Sequence, residues 1–465
     1  MLQTDHTVAP EVIEKKIARL WELSGPKILA IEENFNPTRG APVFTAGGKY
    51  TSRGWTEWTQ GFQFGSALLQ FDATGDRRFL ELGRHATVRR MAPHVTHAGV
   101  HDHGFNNIST YGNLLRLMNE NRVEENPWER DYYGLALKCS GATQARRWTQ
   151  AGNGLGFIYS FNGPHSLFVD TIRTLRVLAV ADRLGHAYLE EGDRHISLLE
   201  RVILHARATA TYSVYYGEGR DIYDVRGRVA HECLFNTNNG NFRCPNTQQG
   251  YSAFSTWTRG LAWAMCGFAE LLEFIGMVPD ADLVPWGGRA DIDGFMLRAA
   301  RATCDFYIEH ATPDGIPYWD TGAPGLPGGA PDSRSDPWSS PEPLDSSAAS
   351  IAAQGLLRLA RHLDPHLAGE ESRRYWRAGL TILDTLLDEP YLSTDPAHQG
   401  LILHSVYHRP NGWDYIPSGR RAPCGESSMW GDYHARELAL YVQRVLRGEA
   451  YLSFASAAKR MKEDA

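Results

Sequence analysis

Three stretches of the chain carry residue types that could do chemistry. In His101-Asp102-His103-Gly104-Phe105 an aspartate stands between two histidines, where an apolar pattern resumes. That order fits a helix entry, because Asp, or Asn106 just after it, is a favoured N-cap. It also fits an H-x-H metal site or one half of a carboxylate pair. A metal would need further ligands, and the chain has neither an HExxH motif nor a closely spaced cysteine pair. The second stretch places Asp170 among Leu167, Phe168, Val169 and Ile172. It reads either as a first-turn acid favoured by the helix dipole or as a carboxyl whose burial lets it donate a proton near neutrality. In the third, Arg259 and Trp263 are four apart and share a helix face. Arg offers a fork for a carboxylate or sulfate and Trp a flat wall for a sugar ring, although an internal Arg–Asp pair would also explain the arginine. Trp58, Trp319 and Trp430 could add walls to such a site or belong to the core.

Helices must position these residues. Apolar periodicity marks twelve helical segments, beginning with "PEVIEKKIARLWEL" and ending with "GDYHARELALYVQRVL". Ser166, Ser252 and Asp345 are possible N-caps, and Pro127 sits near a first turn. Loops rich in Trp, Gly, Pro and Asn, such as "PHVTHAGVHDHGFNN" and "TQAGNGLGFIYSFNGP", separate alternate helices. The spacing predicts an all-α (α/α)6 toroid of six helical hairpins, with inner helices lining a core and the long loops forming a pocket at one rim. No linker splits the chain, which reads as a single catalytic domain over 1–465. "YSVYYG" and "GLILHSVYH" read as rim hairpins.

The bulk composition narrows the partners. The chain has 465 residues, and its net charge of −7 argues against nucleic acid or an anionic membrane as the main partner. No segment approaches an uninterrupted membrane span, and the first residues lack an apolar signal core. The six cysteines show no metal-ligand spacing and read as reduced thiols of a cytoplasmic protein, with Cys233 and Cys244 close enough in one loop to pair under oxidising conditions.

The segments "WTQGF", "HDHGF", the "FVDT" helix, "GYSAFSTWTRGLAW", "YWDTGAP", "DSSAASIAAQGLL" and "GLILHSVYHRPNG…MWGDY" occur in this order. Together they resemble the unsaturated glucuronyl hydrolases, glycoside hydrolase family 88. The resemblance implies an (α/α)6 barrel without metal or other cofactor, acting on unsaturated oligosaccharides left by polysaccharide lyases. The implied reaction hydrates the C4=C5 double bond of the non-reducing uronate and releases a keto uronic acid. By position in the motifs, Asp170 resembles the general acid/base and Asp102 the second essential Asp, which would keep Asp170 protonated while His101 orients it. Trp58, Gln249, Arg259 and Trp263 resemble residues lining the uronate site, with Arg259 the candidate for the substrate carboxylate.

The chain departs from the family pattern at Leu261, where Gln is common, and at Ser213, where many members carry His. His231, in a long loop, could replace that imidazole, and Arg220, Arg226 and Arg228 could meet sulfate at the rim. Rival readings are an unsaturated rhamnogalacturonyl hydrolase, a conventional inverting glucuronidase using Asp102 and Asp170, a sugar epimerase built on paired histidines, and a non-catalytic carbohydrate binder.

Overall fold

Burial along the whole length distinguishes one set of helices from another. In Thr258–Ile275 every residue except Glu273 is buried, whereas Glu370–Leu386 buries only a stripe including Tyr375, Ala378, Gly379, Ile382, Leu383 and Leu386. The first pattern belongs to a helix enclosed on all sides and the second to one with a solvent face. The computed structural model describes residues 1–4, 8–53, 57–326 and 331–458, and the 1–465 span expected from sequence extends beyond them. Among the described residues twelve long helices alternate between the two kinds.

The inner helices are Gln60–Thr74, 103–119, 171–183, Thr258–Ile275, Ser346–Leu363 and Met429–Leu446. Each packs on the next, and Met429–Leu446 returns to Gln60–Thr74, so the ring closes. The outer helices are Pro10–Asn34, Arg77–Arg90, Pro127–Ala145, Leu198–Tyr212, Gly288–His310 and Glu370–Leu386. The (α/α)6 toroid expected from periodicity is the fold observed. Strands are short, the largest sheet being Ser166–Phe168, Glu232–Phe235 and Phe242–Asn246. Its register places Leu234, not Cys233, opposite Cys244, and all six cysteines are free thiols. Among the described residues no helix is long and apolar enough to cross a membrane.

Two expected helix entries are corrected. Ser166 opens a strand rather than a helix, and the helix after it starts at Thr171. Ser252 lies in a turn, and its helix starts at Thr258. Asp345 does cap, accepting the backbone N–H groups of Ser347 and Ala348.

The inner helices approach closely because glycines stand at their crossings. A Cβ at Gly355 would lie 2.8 Å from Cys266 N, and one at Gly104 would overlap the Thr174 carbonyl. Gly104 therefore fixes the spacing between the helices that begin just after Asp102 and Asp170. We expect Gly104→Ala to cost about 1–3 kcal/mol and to lower activity by separating those helix starts. A thermal midpoint equal to that of the parent protein would show that the crossing tolerates a methyl group.

Candidate active site

Each inner helix is followed by an antiparallel outer one, so all six inner helices begin at the same end of the toroid. At that end lies a cavity of about 470 Å³ lined by residues at the starts of four of them and by rim loops, within the range of small-ligand sites. Trp58, His101, Asp102, Asp170, Gln249, Arg259 and Trp263, named from sequence, all line it.

Asp102 and Asp170 occupy N-cap positions, yet neither side chain caps its helix. Forgoing a cap costs about 1 kcal/mol, and here it leaves both carboxylates facing the cavity. His101, 1% exposed, stands between them. Its Nε2 lies 3.4 Å from Asp170 Oδ1 and 3.7 Å from Asp102 Oδ1. The two oxygens are thus no farther apart than those distances together, which reaches only the lower part of the ~6.5–9.5 Å range of an inverting pair.

Proton placement differs from the sequence expectation. Burial disfavours a charged His101, but Asp102 and Asp170 outweigh it and raise the imidazole pKa. Burial raises the Asp102 carboxyl against the pull of His101, with Asp170 adding to the rise. Burial also pushes Asp170 up, but contact with His101, reinforced by His231 and Arg259, brings it below its ordinary value. The expected rise of Asp170 beside Asp102 is therefore not found, because the imidazole between the two carboxylates favours the ionised form of Asp170. These directions favour the proton on His101 over Asp170, whose Oδ1 lies 3.4 Å from the imidazole Nε2.

Arg259 is corrected as the carboxylate ligand. Its Nη1 donates to Asp345 Oδ2 at 3.1 Å and to the Val406 carbonyl. Its Nη2 donates to Gln249 Oε1 and to the Tyr407 carbonyl, both at 2.8 Å. All four Nη hydrogens are engaged within the protein. Because Gln249 accepts through Oε1, its NH2 group is turned away from Arg259, and Gln249 lines the cavity. In this arrangement Arg259 orients the Gln249 amide.

Aromatic rings form the walls. Trp58 stacks on Trp430 at 5.1 Å, and Trp263 meets Phe105 at 4.8 Å. Behind Trp263 sits His434, whose Nε2 accepts from Arg173, and Arg173 pairs with Glu270 at 3.0 Å and Glu437 at 2.7 Å. Trp319, offered as another wall, is buried with its Nε1 donating to Glu342.

The H-x-H spacing does not converge on one point. His103 turns away, its Nδ1 2.9 Å from Ser140 Oγ and its Nε2 3.0 Å from the His97 carbonyl, and burial pushes its pKa down to about 3. Among the described residues no group of three or more His, Cys, Asp or Glu side chains could hold a metal ion. Leu261 is buried in the core, and Ser213 Oγ lies 3.6 Å from Cys233 Sγ. The expected rim arginines are engaged elsewhere: Arg226 pairs with Asp305 at 2.8 Å, while Arg220 and Arg228 lie over the Tyr215 ring.

Sequence reasoning missed Asn162, Gln248, Trp257, Asn411 and Trp413, all of which line the cavity. His408 lines it as well. Asn162 is held by a bond to Glu232 Oε1 at 3.0 Å. The usable signal was the density of Asn and Trp in loops already recognised as rim segments.

No protein-family model matches the chain. It is 27% identical over 412 residues to the unsaturated glucuronyl hydrolase of Bacillus sp. (strain GL1), spanning 87% of this chain and 90% of the relative. Identity to the unsaturated glucuronyl hydrolase of Formosa agariphila is 25% over 386 residues, covering 82% and 78% of the two chains. The crystal structure of the Bacillus sp. GL1 enzyme, responsible for the degradation of glycosaminoglycan, superposes with a TM-score of 0.68. That superposition covers 92% of this chain and 97% of the other at 24% identity. In sequence over most of its length, and in its fold, the chain is a relative of the unsaturated glucuronyl hydrolases, as its motifs indicated.

Proposed function

We propose that the protein hydrates the C4=C5 double bond of an unsaturated uronate at the non-reducing end of lyase-generated oligosaccharides, releasing a keto uronic acid. The observation that carries this reading is the His101 imidazole between two non-capping aspartates, in an aromatic cavity at the starts of inner helices. Those N-termini favour an anion, and the uronate supplies one. Curated relatives bearing the same activity support the reading.

Entry of the substrate carboxylate adds negative charge and raises the pKa of every nearby acid. The His101 proton then moves to Asp170, which acts as general acid and protonates C4. The electron pair of the double bond forms the new C–H bond, and positive charge spreads over C5 and the ring oxygen. A water adds its oxygen to C5 and gives a proton to Asp170, now the base. The C5 hemiketal opens to a ketone, leaving a hemiacetal at C1. Its breakdown frees the shortened oligosaccharide and the keto uronic acid. Asp102 holds negative charge near the cationic centre, Gln249 donates to the sugar, and Trp58 and Trp263 pack its faces. The chain works as one catalytic domain, a reading supported by the closed ring. A cytoplasmic setting is supported by the free thiols.

Purified protein should abolish the ultraviolet absorbance of the conjugated C4=C5 bond in a lyase-generated disaccharide. Asp170→Asn should lower kcat by about a thousandfold while leaving the fold intact, and Asp102→Asn should also be severely impaired. Near-parental turnover by Asp170→Asn would remove Asp170 from the mechanism. Cleavage of a saturated aryl glucuronide alone would make the protein a conventional glucuronidase.

Stability provides a separate check on the proton. The folded-state pKa of His101 is raised, so its protonation stabilises the fold fully below the unfolded value of about 6.5. That contribution disappears as pH rises through the folded-state pKa. The stability of the parent protein relative to His101→Asn should therefore shrink as pH rises above about 6.5. A difference that grows with pH would place the proton elsewhere.

A further inference from the structure

Behind the wall that presents Gln248 and Gln249 lies a second buried imidazole, which the mechanism above does not use. His231 is 3% exposed and sits between the Phe168 and Trp257 rings, at 4.5 and 4.6 Å. Its carbonyl accepts from Val169 N at 2.9 Å, so its backbone is tied to the residue preceding Asp170. Its Nδ1 accepts the backbone N–H of Gln248 at 3.0 Å and of Gln249 at 3.4 Å, with Thr247 Oγ1 at 3.4 Å. Two backbone donors on one nitrogen fix the tautomer, leaving Nδ1 bare and placing the hydrogen on Nε2. That Nε2 is buried without a partner.

A ring held between two aromatics, with one nitrogen bonded to the turn that carries two cavity residues, is built to hold that turn. We infer that His231 is a positioning residue of the sugar site, its neutral Nδ1 anchoring the 247–249 turn so that Gln248 and Gln249 face the substrate. Arg259 orients the Gln249 amide from its side-chain end, and His231 fixes the same residue from its backbone end. The two restraints act on different atoms. Side-chain rotation is settled by the first and the height of the turn against the cavity by the second. Burial, opposed by Asp170, pushes the His231 pKa down to about 4, so the acceptor persists at neutral pH.

This inference rests on the hydration reading for its choice of substrate, an unsaturated glucuronyl disaccharide. In His231→Asn, the side-chain Oδ1 falls where Nδ1 stood and can still accept. In His231→Gln, the acceptor moves out to the Nε2 position. We expect His231→Asn to keep KM within about threefold of the parent value and His231→Gln to raise it about tenfold, both with nearly unchanged kcat. The dissociation constants of the same disaccharide, measured calorimetrically in an Asp170→Asn background, should follow that order. Equal KM and equal binding in the two variants, or a better Gln than Asn variant, would overturn the role of Nδ1. Failure of both variants to fold would make His231 a core residue only and would overturn it equally. Ranked binding without turnover in the parent protein would instead sink the hydration reading and leave the positioning role standing.

Discussion

Six inner helices running in one direction impose a constraint on both ends of the toroid. At the cavity end, a helix start carries up to roughly half a positive elementary charge, offset at Ser346 by the Asp345 cap. The opposite end collects the corresponding negative charge, and buried arginines of the inner helices pair there with carboxylates. Arg116 and Arg444 share Asp72 and Glu120, and Arg358 pairs with Glu273 at 2.9 Å. The fold is therefore polarised along its axis before any catalytic residue is considered. Rotating or reversing one inner helix would disturb the ring closure and the field in the cavity together.

A buried polar column connects the two ends. Below the cavity floor, His434 lies between Trp263 and Arg173, and Arg173 reaches Glu270 and Glu437. Removing one member of such a network leaves a buried charge unpaired, at a cost of about 3–5 kcal/mol. Arg173 stands one turn after Asp170 on the same helix, so the column also fixes where that helix begins. The position of Asp170 thus depends on charges that never approach the substrate. Arg259 does the same for the rim, joining Asp345 to the 406–407 backbone.

Much of this architecture was legible in the sequence because helical periodicity is a local signal. The twelve helices and the Asp345 cap could be read from short windows, whereas the two cavity aspartates stood out only through the order of motifs along the chain. The entries at Ser166 and Ser252 could not. Ser166–Phe168 is a strand because it pairs with Glu232–Leu234, far along the chain, and its apolar residues look like a helix start in isolation. An arginine on an apolar helix announces that it needs acceptors but does not say which. Two of the four for Arg259 are main-chain carbonyls of a distant loop, and a carbonyl has no sequence signature. The placement of His101 between both carboxylates was equally hidden, since adjacency to Asp102 gives no hint of the reach to Asp170.

The polarised field raises a chemical problem that the aspartates resolve. Helix N-termini draw the uronate carboxylate into the cavity, but vinyl ether protonation then builds positive charge at C5, and the same field opposes it. Binding that stabilises substrate and transition state equally does not accelerate the step. A negative group close to the reacting carbon must therefore offset the field as the cation forms. Two carboxylates released from capping, sharing one imidazole, meet both needs. In the proposed reaction one gives up a proton, while the other stays near the developing charge, its ionised form supported by His101 and Arg147 against the cost of burial. Had either aspartate capped its helix, it would have been spent on the ground-state field and lost to the transition state. On this argument the missing caps at Asp102 and Asp170 are the local cost of using helix N-termini to recruit an anion for a reaction that passes through a cation.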